Sequence, residues 1–402
     1  MTIMRVGFLP LVDAALPILA REFGYAEDEG ISLELVRDMS WATVCDRLLY
    51  GHSDAAHMIA PLTIAMTLGL GRPAQSLSTP FVLGLNGNAV TMRRELAEKL
   101  TADGGAGDLS VIGKRLADFV KSGEQRLRFG VVHRHSSHNY MLRYWLSGVG
   151  INVDKDVDIV TIAPPFASEA LALGEIDAIC VGEPWNSVAV DRGVGVIIGV
   201  TSQIWRRGVE KVLAMRTERL EGESEPVRGL IRALYRAGEA FIDPGKADEI
   251  ATLLARPEYL DGSKELIKGA VTDNILFAQG SERVHVPDFM FQHRDAANFP
   301  WRSQAAWLYA QMCLAGHVDY SREGYALAQN TFRPDIFRAA FAGTNVPLPG
   351  ASAKVEGGLD NVTGVGAKQG LLSLGPDRFF DQRTFDPDNI EAYLAEARHK
   401  SA

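Results

Sequence analysis

Three histidines, His133, His135 and His138, fall within six residues of the chain. Histidine side chains can bind metal ions, act as bases or hold small anions, so this stretch has three possible chemistries. His133 and His135 are two residues apart, which would place both on one face of a strand, and His57 is a possible fourth ligand. No cysteine, aspartate or glutamate stands close by in sequence to complete a metal shell, which disfavours zinc without excluding it.

His138 falls in the first turn of a helical pattern that follows the apolar segment RFGVV. The free backbone N–H groups and the dipole at a helix N-terminus favour an anion there. His138 is therefore a candidate anion contact. For His133 and His135 the sequence favours polar side chains on the rim of a loop.

Four other residues could face a ligand. Trp41 follows Ser40, a candidate helix N-cap, which would aim the indole N–H into a cleft. Asn88 offers an amide, Gly182 permits close backbone approach at a strand end, and Lys211 offers a cation. Taken singly, a core tryptophan, an Asn-Gly turn and a surface lysine are ordinary explanations.

Catalytic signatures are missing from the sequence. It contains no GxSxG, P-loop or HExxH pattern, and nothing marks a nucleophile. Loose GxG pairs lack the dinucleotide fingerprint. We therefore expect a binding protein that needs no cofactor and no metal, rather than an enzyme.

Composition restricts the partners. The chain has 402 residues, too many for one compact core, and a net charge of −9, which argues against general binding to nucleic acid or to an anionic membrane. Three widely spaced cysteines argue against structural disulfides. The N-terminal segment resembles a buried strand rather than a secretory signal, and no segment is apolar enough to cross a membrane. These features predict a cytoplasmic protein.

An internal repeat indicates the architecture. Two short strands with a central glycine, RVGFLP and RFGVVH, are offset by 123 residues, and so are two helix-end glycines and the aspartates that follow them. The paired positions are Gly7 and Gly130, Gly51 and Gly174, and Asp54 and Asp177. Glycine at a helix end adopts the left-handed conformation that stops the helix before the next strand. Two such units predict two α/β lobes with a ligand cleft at the carboxyl ends of their strands.

The chain is expected to divide into a first lobe over 1–83, a second lobe over 84–205, and a return to the first lobe over 206–402. Helical spacing after residue 220 predicts a helical extension packed on the first lobe. The segment 347–380 is rich in Gly, Pro and Ser and predicts a loop, and a final helix follows it.

Several blocks together resemble a known family. SWATVCDRLLYGHSDAAHM, LNGNAVTM, SSHNYMLRYWLSGVGI, VGEPWN and EKVLAMR are similar to segments of the nitrate- and bicarbonate-binding proteins of nitrate-type ABC transporters. The resemblance covers at least residues 5 to 220. It implies a two-lobed type II periplasmic-binding-protein-like fold that closes on its ligand.

The resemblance also implies roles for the candidate residues. In the nitrate binders the oxyanion is held by residues that match Trp41, His138, Gly182 and Lys211, and by a glutamine where this chain has Asn88. The shorter amide implies a longer or water-bridged contact. Bicarbonate relatives replace the lysine with an acid and use calcium, so Lys211 favours a metal-free site for a monoanion. On this basis Lys211→Ala is expected to leave the fold intact and to abolish stabilisation by nitrate.

A subgroup of this family provides the preferred functional hypothesis. The N-terminus and the C-terminal tail resemble the cytoplasmic NasS-type nitrate/nitrite sensors, which are thought to hold a NasT-like ANTAR antitermination regulator until ligand binds. The implied partners are then a small inorganic anion and that regulator. The alternatives are a solute-binding receptor of a nitrate-type ABC transporter, and a metal- or cofactor-dependent enzyme on the same fold.

Overall fold

The computed structural model describes residues 1–101, 107–123, 125–222, 224–368 and 370–401. The strands within this part of the chain are, in order, β1 (Thr2–Phe8), β2 (Ile31–Arg37), β3 (Ala55–Ile59), β4 (Leu77–Asn86), β5 (Asn88–Arg93), β6 (Leu127–Val131), β7 (Val157–Thr161), β8 (Ala178–Gly182), β9 (Gly195–Val200), β10 (Val209–Arg216), β11 (Asn274–Leu276), β12 (Arg283–His285), β13 (Met290–Phe291), β14 (Thr363–Val365) and β15 (Leu372–Leu374).

The α-helices alternate with these strands over the first half of the chain and dominate the second half. They are α1 (Ala15–Glu22), α2 (Tyr25–Asp28), α3 (Trp41–Leu49), α4 (Ala60–Thr67), α5 (Arg94–Thr101), α6 (Leu109–Ser122), α7 (Ser137–Gly148), α8 (Ala167–Ala172), α9 (Trp185–Asp191), α10 (Thr201–Ile204), α11 (Thr217–Gly222), α12 (Ser224–Phe241), α13 (Ala247–Leu254), α14 (Lys264–Val271), α15 (Arg302–Leu314), α16 (Arg322–Thr331), α17 (Pro334–Ala340) and α18 (Ile390–Ser401). Among the described residues, no helix combines the length and the apolar character that crossing a membrane requires.

Two mixed sheets form the centres of two lobes. The first has the order β13-β4-β10-β3-β1-β2 and the second β7-β6-β8-β5-β9. In each sheet three neighbouring strands are parallel, β2-β1-β3 in the first and β7-β6-β8 in the second, and an antiparallel strand follows them. This is the predicted two-lobed α/β architecture.

The segments that repeat in the sequence occupy equivalent positions in the two sheets, with the same pairing between their strands. Gly7 pairs with Ala56 between β1 and β3, and Gly130 pairs with Ile179 between β6 and β8, so both partners keep the offset of 123 residues. The two lobes therefore carry the same parallel core in the same register.

Hydrogen bonds explain why the repeat keeps its aspartates. Asp54 accepts the backbone N–H of Arg5 at 2.7 Å, and Asp177 accepts that of Arg128 at 2.8 Å. In both lobes this N–H belongs to the residue just before parallel pairing begins, which is at Val6 for β1 with β3 and at Phe129 for β6 with β8. Satisfying such a backbone donor in this way helps to fix the position at which the parallel pairing begins.

The chain passes between the sheets at a tight turn. Asn86 ends β4 with φ of 58°, Gly87 has φ of 82°, and β5 of the second sheet starts at Asn88. The chain returns between Ile204, which ends α10, and Val209, which starts β10. The expected boundary after residue 83 falls inside β4, three residues before that strand ends, and the expected boundary after residue 205 falls in the returning segment.

The C-terminal extension differs from expectation in two ways. Helix α15 packs on α4 of the first lobe but also on α7 of the second, so the extension contacts both lobes. Helix α15 is buried from Ser303 to Cys313, and a helix buried all round needs neighbours on every side. The expected loop over 347–380 contains the hairpin of β14 and β15, whose three-residue strands are too short to give a periodic signal.

Gly174→Ala tests the helix-stop role of the repeated glycines. Gly174 has φ of +68°, and a β-carbon there meets only Arg93 Nη1 at 3.8 Å, so the change adds backbone strain without a steric clash. We expect the free energy of unfolding to fall by about 1 kcal/mol in urea denaturation. The same change at Gly364, which is not in the left-handed region and has open space around it, should be nearly neutral; equal effects at both positions would contradict this role.

Candidate functional site

A buried lysine lies at the centre of the first sheet. Lys211 is on β10, and its side chain is 1% exposed. Its Nζ lies 2.8 Å from Asp13 Oδ2 and 2.8 Å from Glu210 Oε1. Burial alone lowers the pKa of a lysine, but the two carboxylates outweigh it and raise the pKa of Lys211. The ammonium is therefore charged, and it is held by two anions from its own lobe.

An irregular strand register lets Glu210 and Lys211 contact each other through their side chains. Consecutive residues of a regular strand point to opposite faces. The pairing of β10 with β4 shifts between Val209 and Lys211 and again between Lys211 and Val212. Such irregularities re-aim side chains and are common beside functional sites.

Asp13 connects the lysine to a histidine. It lies in a short 3-10 turn after β1, and its Oδ1 is 2.8 Å from His57 Nε2. Burial raises the pKa of Asp13, but Lys211 and His57 overcome this effect and lower it to about 2. Burial also lowers the pKa of His57, against the opposing effect of Asp13. Asp13 is thus ionised and His57 neutral at pH 7.

His138 joins the same group from the second lobe. Helix α7 starts at Ser137, and Ser136 caps it by accepting the N–H of Asn139 at 3.2 Å, so His138 lies in the first turn of the helix as predicted. His138 Nδ1 lies 2.9 Å from Glu210 Oε1. One connected set of ionisable side chains, called here the ionic chain, therefore crosses between the lobes in the order His57, Asp13, Lys211, Glu210, His138.

Trp41 lies beside this chain on the first lobe. Ser40 caps α3 as predicted, with its Oγ accepting the N–H of Thr43 at 3.2 Å. The Trp41 ring centre is 5.5 Å from Lys211 Nζ and 5.4 Å from the His57 ring centre. An ammonium within about 6 Å of an indole ring is attracted by its electron-rich face.

Asn88 and Gly182 complete the group from the second lobe, where Asn88 of β5 pairs with Gly182 of β8. A β-carbon at Gly182 would lie 3.3 Å from Asn88 Oδ1 and 3.4 Å from Asp13 Oδ2. Any side chain there would crowd both groups, so glycine keeps the space between the lobes open. All five residues predicted from the sequence are thus at one place, Trp41 and Lys211 on the first lobe and the other three on the second.

Polar atoms without partners are concentrated here. Buried polar atoms nearly always have a hydrogen-bond partner, so a cluster without partners indicates a place for a ligand. Within the described residues, the following buried atoms of the site lack a hydrogen bond: Trp41 Nε1, His57 Nδ1, Asn88 Oδ1, His138 Nε2 and Glu210 Oε2.

Sequence reasoning missed Asp13 and Glu210, and considered His57 only as a possible metal ligand. A signal for Asp13 was present, because it is a lone charge in the apolar stretch LPLVDAALPIL after the first strand. Glu210 gave no such signal, because a strand residue next to Lys211 is expected on the opposite face.

The three-histidine stretch divides into two separate environments. His138 turns toward Glu210, whereas His135 Nδ1 lies 2.9 Å from the Tyr140 hydroxyl, which is 2.8 Å from His317 Nδ1. His133 Nδ1 accepts the backbone N–H of His135. Across the described ranges no three His, Cys, Asp or Glu side chains are placed to hold a metal ion.

The exposure expected for this stretch was also wrong in part. His135 is buried rather than on a loop rim, because Tyr140 and His317 enclose its ring. Burial, with neighbouring positive charge, lowers the pKa of His133 to about 4 and that of His135 to about 3. Both imidazoles are neutral at pH 7.

With this fold and site in place, comparison with known proteins identifies the class of protein. Residues 1–255 match the model of the NMT1-like family, and the chain belongs to that family. The crystal structure of the periplasmic nitrate-binding protein NrtA from Synechocystis PCC 6803 has the same fold, with a TM-score of 0.85 at 23% identity over 99% of this chain and 98% of that one. The expected two-lobed binding-protein fold is confirmed.

Relatives in sequence agree with the resemblance seen in the motifs. The chain is 29% identical to the nitrate/nitrite binding protein NrtA of Synechococcus elongatus, over 99% of this chain and 86% of that protein. It is 32% identical to the nitrate import ATP-binding protein NrtC of Synechocystis, over 84% of this chain. The chain spans about half of the two NrtC proteins it matches, 49% and 56% of their lengths. The proteins named here are binding and transport proteins, in line with the expectation that the chain is not an enzyme.

The contacts of Lys211 indicate that removing its side chain will destabilise the folded protein. Lys211→Met leaves Asp13 and Glu210 buried without their shared cation, and we expect the free energy of unfolding to fall by about 3 to 5 kcal/mol at pH 8. In the parent protein the pKa of Asp13 is lowered, so its contribution is present above the pKa of an unfolded aspartate and is lost only as the pH falls toward 2.

In the variant, uncompensated burial raises the pKa of both carboxylates, so stability is lost as the pH rises. The deficit relative to the parent should therefore be smaller at pH 5 than at pH 8 in urea denaturation. Lys368→Met, at an exposed lysine, is the control. A deficit that does not depend on pH would show that the carboxylates do not rely on Lys211.

Proposed function

We propose that this protein is a solute-binding protein that holds a small inorganic monoanion, nitrate or nitrite, between its two lobes. The main support for this proposal is that residues from both lobes meet around the buried ammonium of Lys211. The unpartnered indole N–H of Trp41 points to a ligand that accepts hydrogen bonds.

Nitrate suits this chemistry. It is flat, singly charged and weakly basic, so one cation and a few neutral donors match it, and burial strengthens each contact. The names of the relatives support the assignment, since NrtA is a nitrate/nitrite binding protein and NrtC a nitrate import protein. The amide of Asn88, shorter than the glutamine of the resembling proteins, would contact the anion at longer range or through water.

Closure of the lobes is the proposed mechanism. In the structure the lobes are joined by the His138–Glu210 contact and by the backbone N–H of Val12, which donates to the Glu183 carbonyl at 2.9 Å. An anion held by Lys211 on one lobe and His138 on the other binds the closed form better than the open one. Ligand then shifts the population toward closure in proportion to that difference in affinity.

The proposed partner is a nitrate-type ABC transporter, because the matched NrtC relatives carry ATP-binding import names and this chain aligns with about half of each. The cytoplasmic sensor hypothesis is the second candidate. The net charge of −9 favours it, because an acidic protein suits a basic, RNA-binding regulator.

One comparison separates these two partners. A receptor should stimulate ATP hydrolysis by an NrtC-type transporter in vesicles when nitrate is added. A sensor should instead form a complex with a NasT-like regulator that nitrate dissociates during size-exclusion chromatography, and cell fractionation should place it in the cytoplasm.

Isothermal titration with nitrate, nitrite and bicarbonate, with and without a chelator, tests the anion itself. Chelator-insensitive binding of nitrate or nitrite is the expected result. Binding of none of the three anions, or binding that needs a metal ion, would overturn the proposal.

Trp41→Phe should weaken nitrate binding about tenfold, because it removes one buried N–H donor and retains most of the ring. The matched control is Trp205→Phe. Trp205 is also a buried indole whose N–H lacks a partner, but it stacks on Phe379, with 5.0 Å between ring centroids, away from the ionic chain. Equal losses of nitrate affinity in the two variants, measured by titration, would remove Trp41 from the site.

A further inference from the structure

Glu210 determines which nitrogen of His138 carries the proton. The pKa of Glu210 is lowered, because Lys211 and His138 outweigh its burial, so the group is a carboxylate. A carboxylate only accepts hydrogen bonds. The contact of 2.9 Å between Glu210 Oε1 and His138 Nδ1 therefore requires a proton on Nδ1.

The other nitrogen of the ring then has the wrong polarity for an anion. In a neutral imidazole only one nitrogen carries a proton, so Nε2 of His138 presents a lone pair. Nε2 is buried and has no partner among the described residues. An anion oxygen cannot hydrogen-bond to that lone pair, and it is repelled by it. His138 can donate to an anion through Nε2 only as an imidazolium.

The charge of the ionic chain adds to this requirement. Two carboxylates, Asp13 and Glu210, face one ammonium, Lys211, so the chain carries one net negative charge when both histidines are neutral. A monoanion entering this buried space adds a second negative charge. A proton taken up with the anion removes that excess charge.

We infer that nitrate binds together with one proton, which goes to Nε2 of His138, and that Glu210 is the positioning residue that imposes this coupling. The inference rests on the proposed function and deepens it. Nitrate affinity should therefore change between pH 8 and pH 9, whereas the affinity of a site whose positive charge came from lysine alone should not.

Other ionisable groups surround His138 without replacing it in this role. His57 donates through Nε2 to Asp13, so its proton too is fixed on the nitrogen that faces a carboxylate. Glu183 is buried beside Gly182, and burial raises its pKa to about 7, so this carboxyl can also take up a proton, and the nitrogen NMR of His138 described below distinguishes the two sites. Among the described residues, further titratable or charged groups on or near α7 include Lys211 on β10, Cys180 on β8, His133 and His135 in the preceding loop, Cys313 and His317 next to Tyr140, Arg143 with Asp154, and Tyr144 with Asp381.

Proton uptake can be measured directly with the full chain. Saturating potassium nitrate is added to protein in weakly buffered solution at pH 8, and the proton count is read with a pH electrode. We expect close to one proton per nitrate bound. Because uptake of one proton with each anion makes the affinity change about tenfold for each pH unit, the nitrate Kd from titration should rise about tenfold from pH 8 to pH 9.

Glu210→Gln should uncouple the proton from the anion. The amide can donate to Nδ1, which leaves the single proton of a neutral His138 on Nε2, facing the ligand. Nitrate should still bind, with proton uptake near zero and a Kd that no longer changes between pH 8 and pH 9. The control is Glu282→Gln, the same change at an exposed glutamate, which should keep the parent uptake.

Nitrogen NMR of His138 keeps the inference testable if Glu210→Gln does not fold. In the parent protein with saturating nitrate at pH 8, both ring nitrogens should be protonated. Nitrate binding without proton uptake, or uptake with Nε2 of His138 still unprotonated, overturns the inference and leaves the anion site standing. No nitrate binding at either pH 6 or pH 8 contradicts the proposed function and this inference together.

Discussion

The burial of the Lys211 ammonium is the interaction on which the site depends. A buried cation must be balanced, and Asp13 and Glu210 balance it from two different segments of the first lobe. Each carboxylate then holds a histidine, His57 on the same lobe and His138 on the other. This balance of charge around Lys211 determines the positions, charges and protonated nitrogens of the residues in the ionic chain.

The sequence was sufficient to predict the architecture, and the five candidate residues that it suggested lie together in the structure, while their role in binding a ligand stays a prediction. The 123-residue repeat predicted two α/β lobes, and its glycines and aspartates have the same backbone roles in both copies. Strand ends, helix caps and the family resemblance placed Trp41 and His138 correctly at helix N-termini. These features are local, and local features are what a sequence records most directly.

The sequence did not predict the two carboxylates that balance the charge of Lys211. Asp13 and Lys211 are nearly 200 positions apart, and no periodic pattern connects them. Glu210 enters the site only through a register irregularity between β10 and β4, which depends on the partner strand. The contacts of Lys211 argue against the expected tolerance of Lys211→Ala, because that expectation treated a buried cation shared by two carboxylates as an isolated ligand contact. The division of the three histidines likewise depends on Tyr140 and His317, which no spacing rule brings together.

The path of β10 has a consequence for the order in which the protein matures during synthesis. The second sheet is built from a continuous stretch, β5 to β9, whereas the first sheet needs β10 between β3 and β4. While the ribosome is still making residues before Val209, the first lobe has a gap at its centre and the second can already be complete. Glu210 and Lys211 arrive on that central strand. Both residues are synthesised after every strand of the second sheet, so His138 is already present in the chain when the Glu210 and Lys211 charges enter the first sheet.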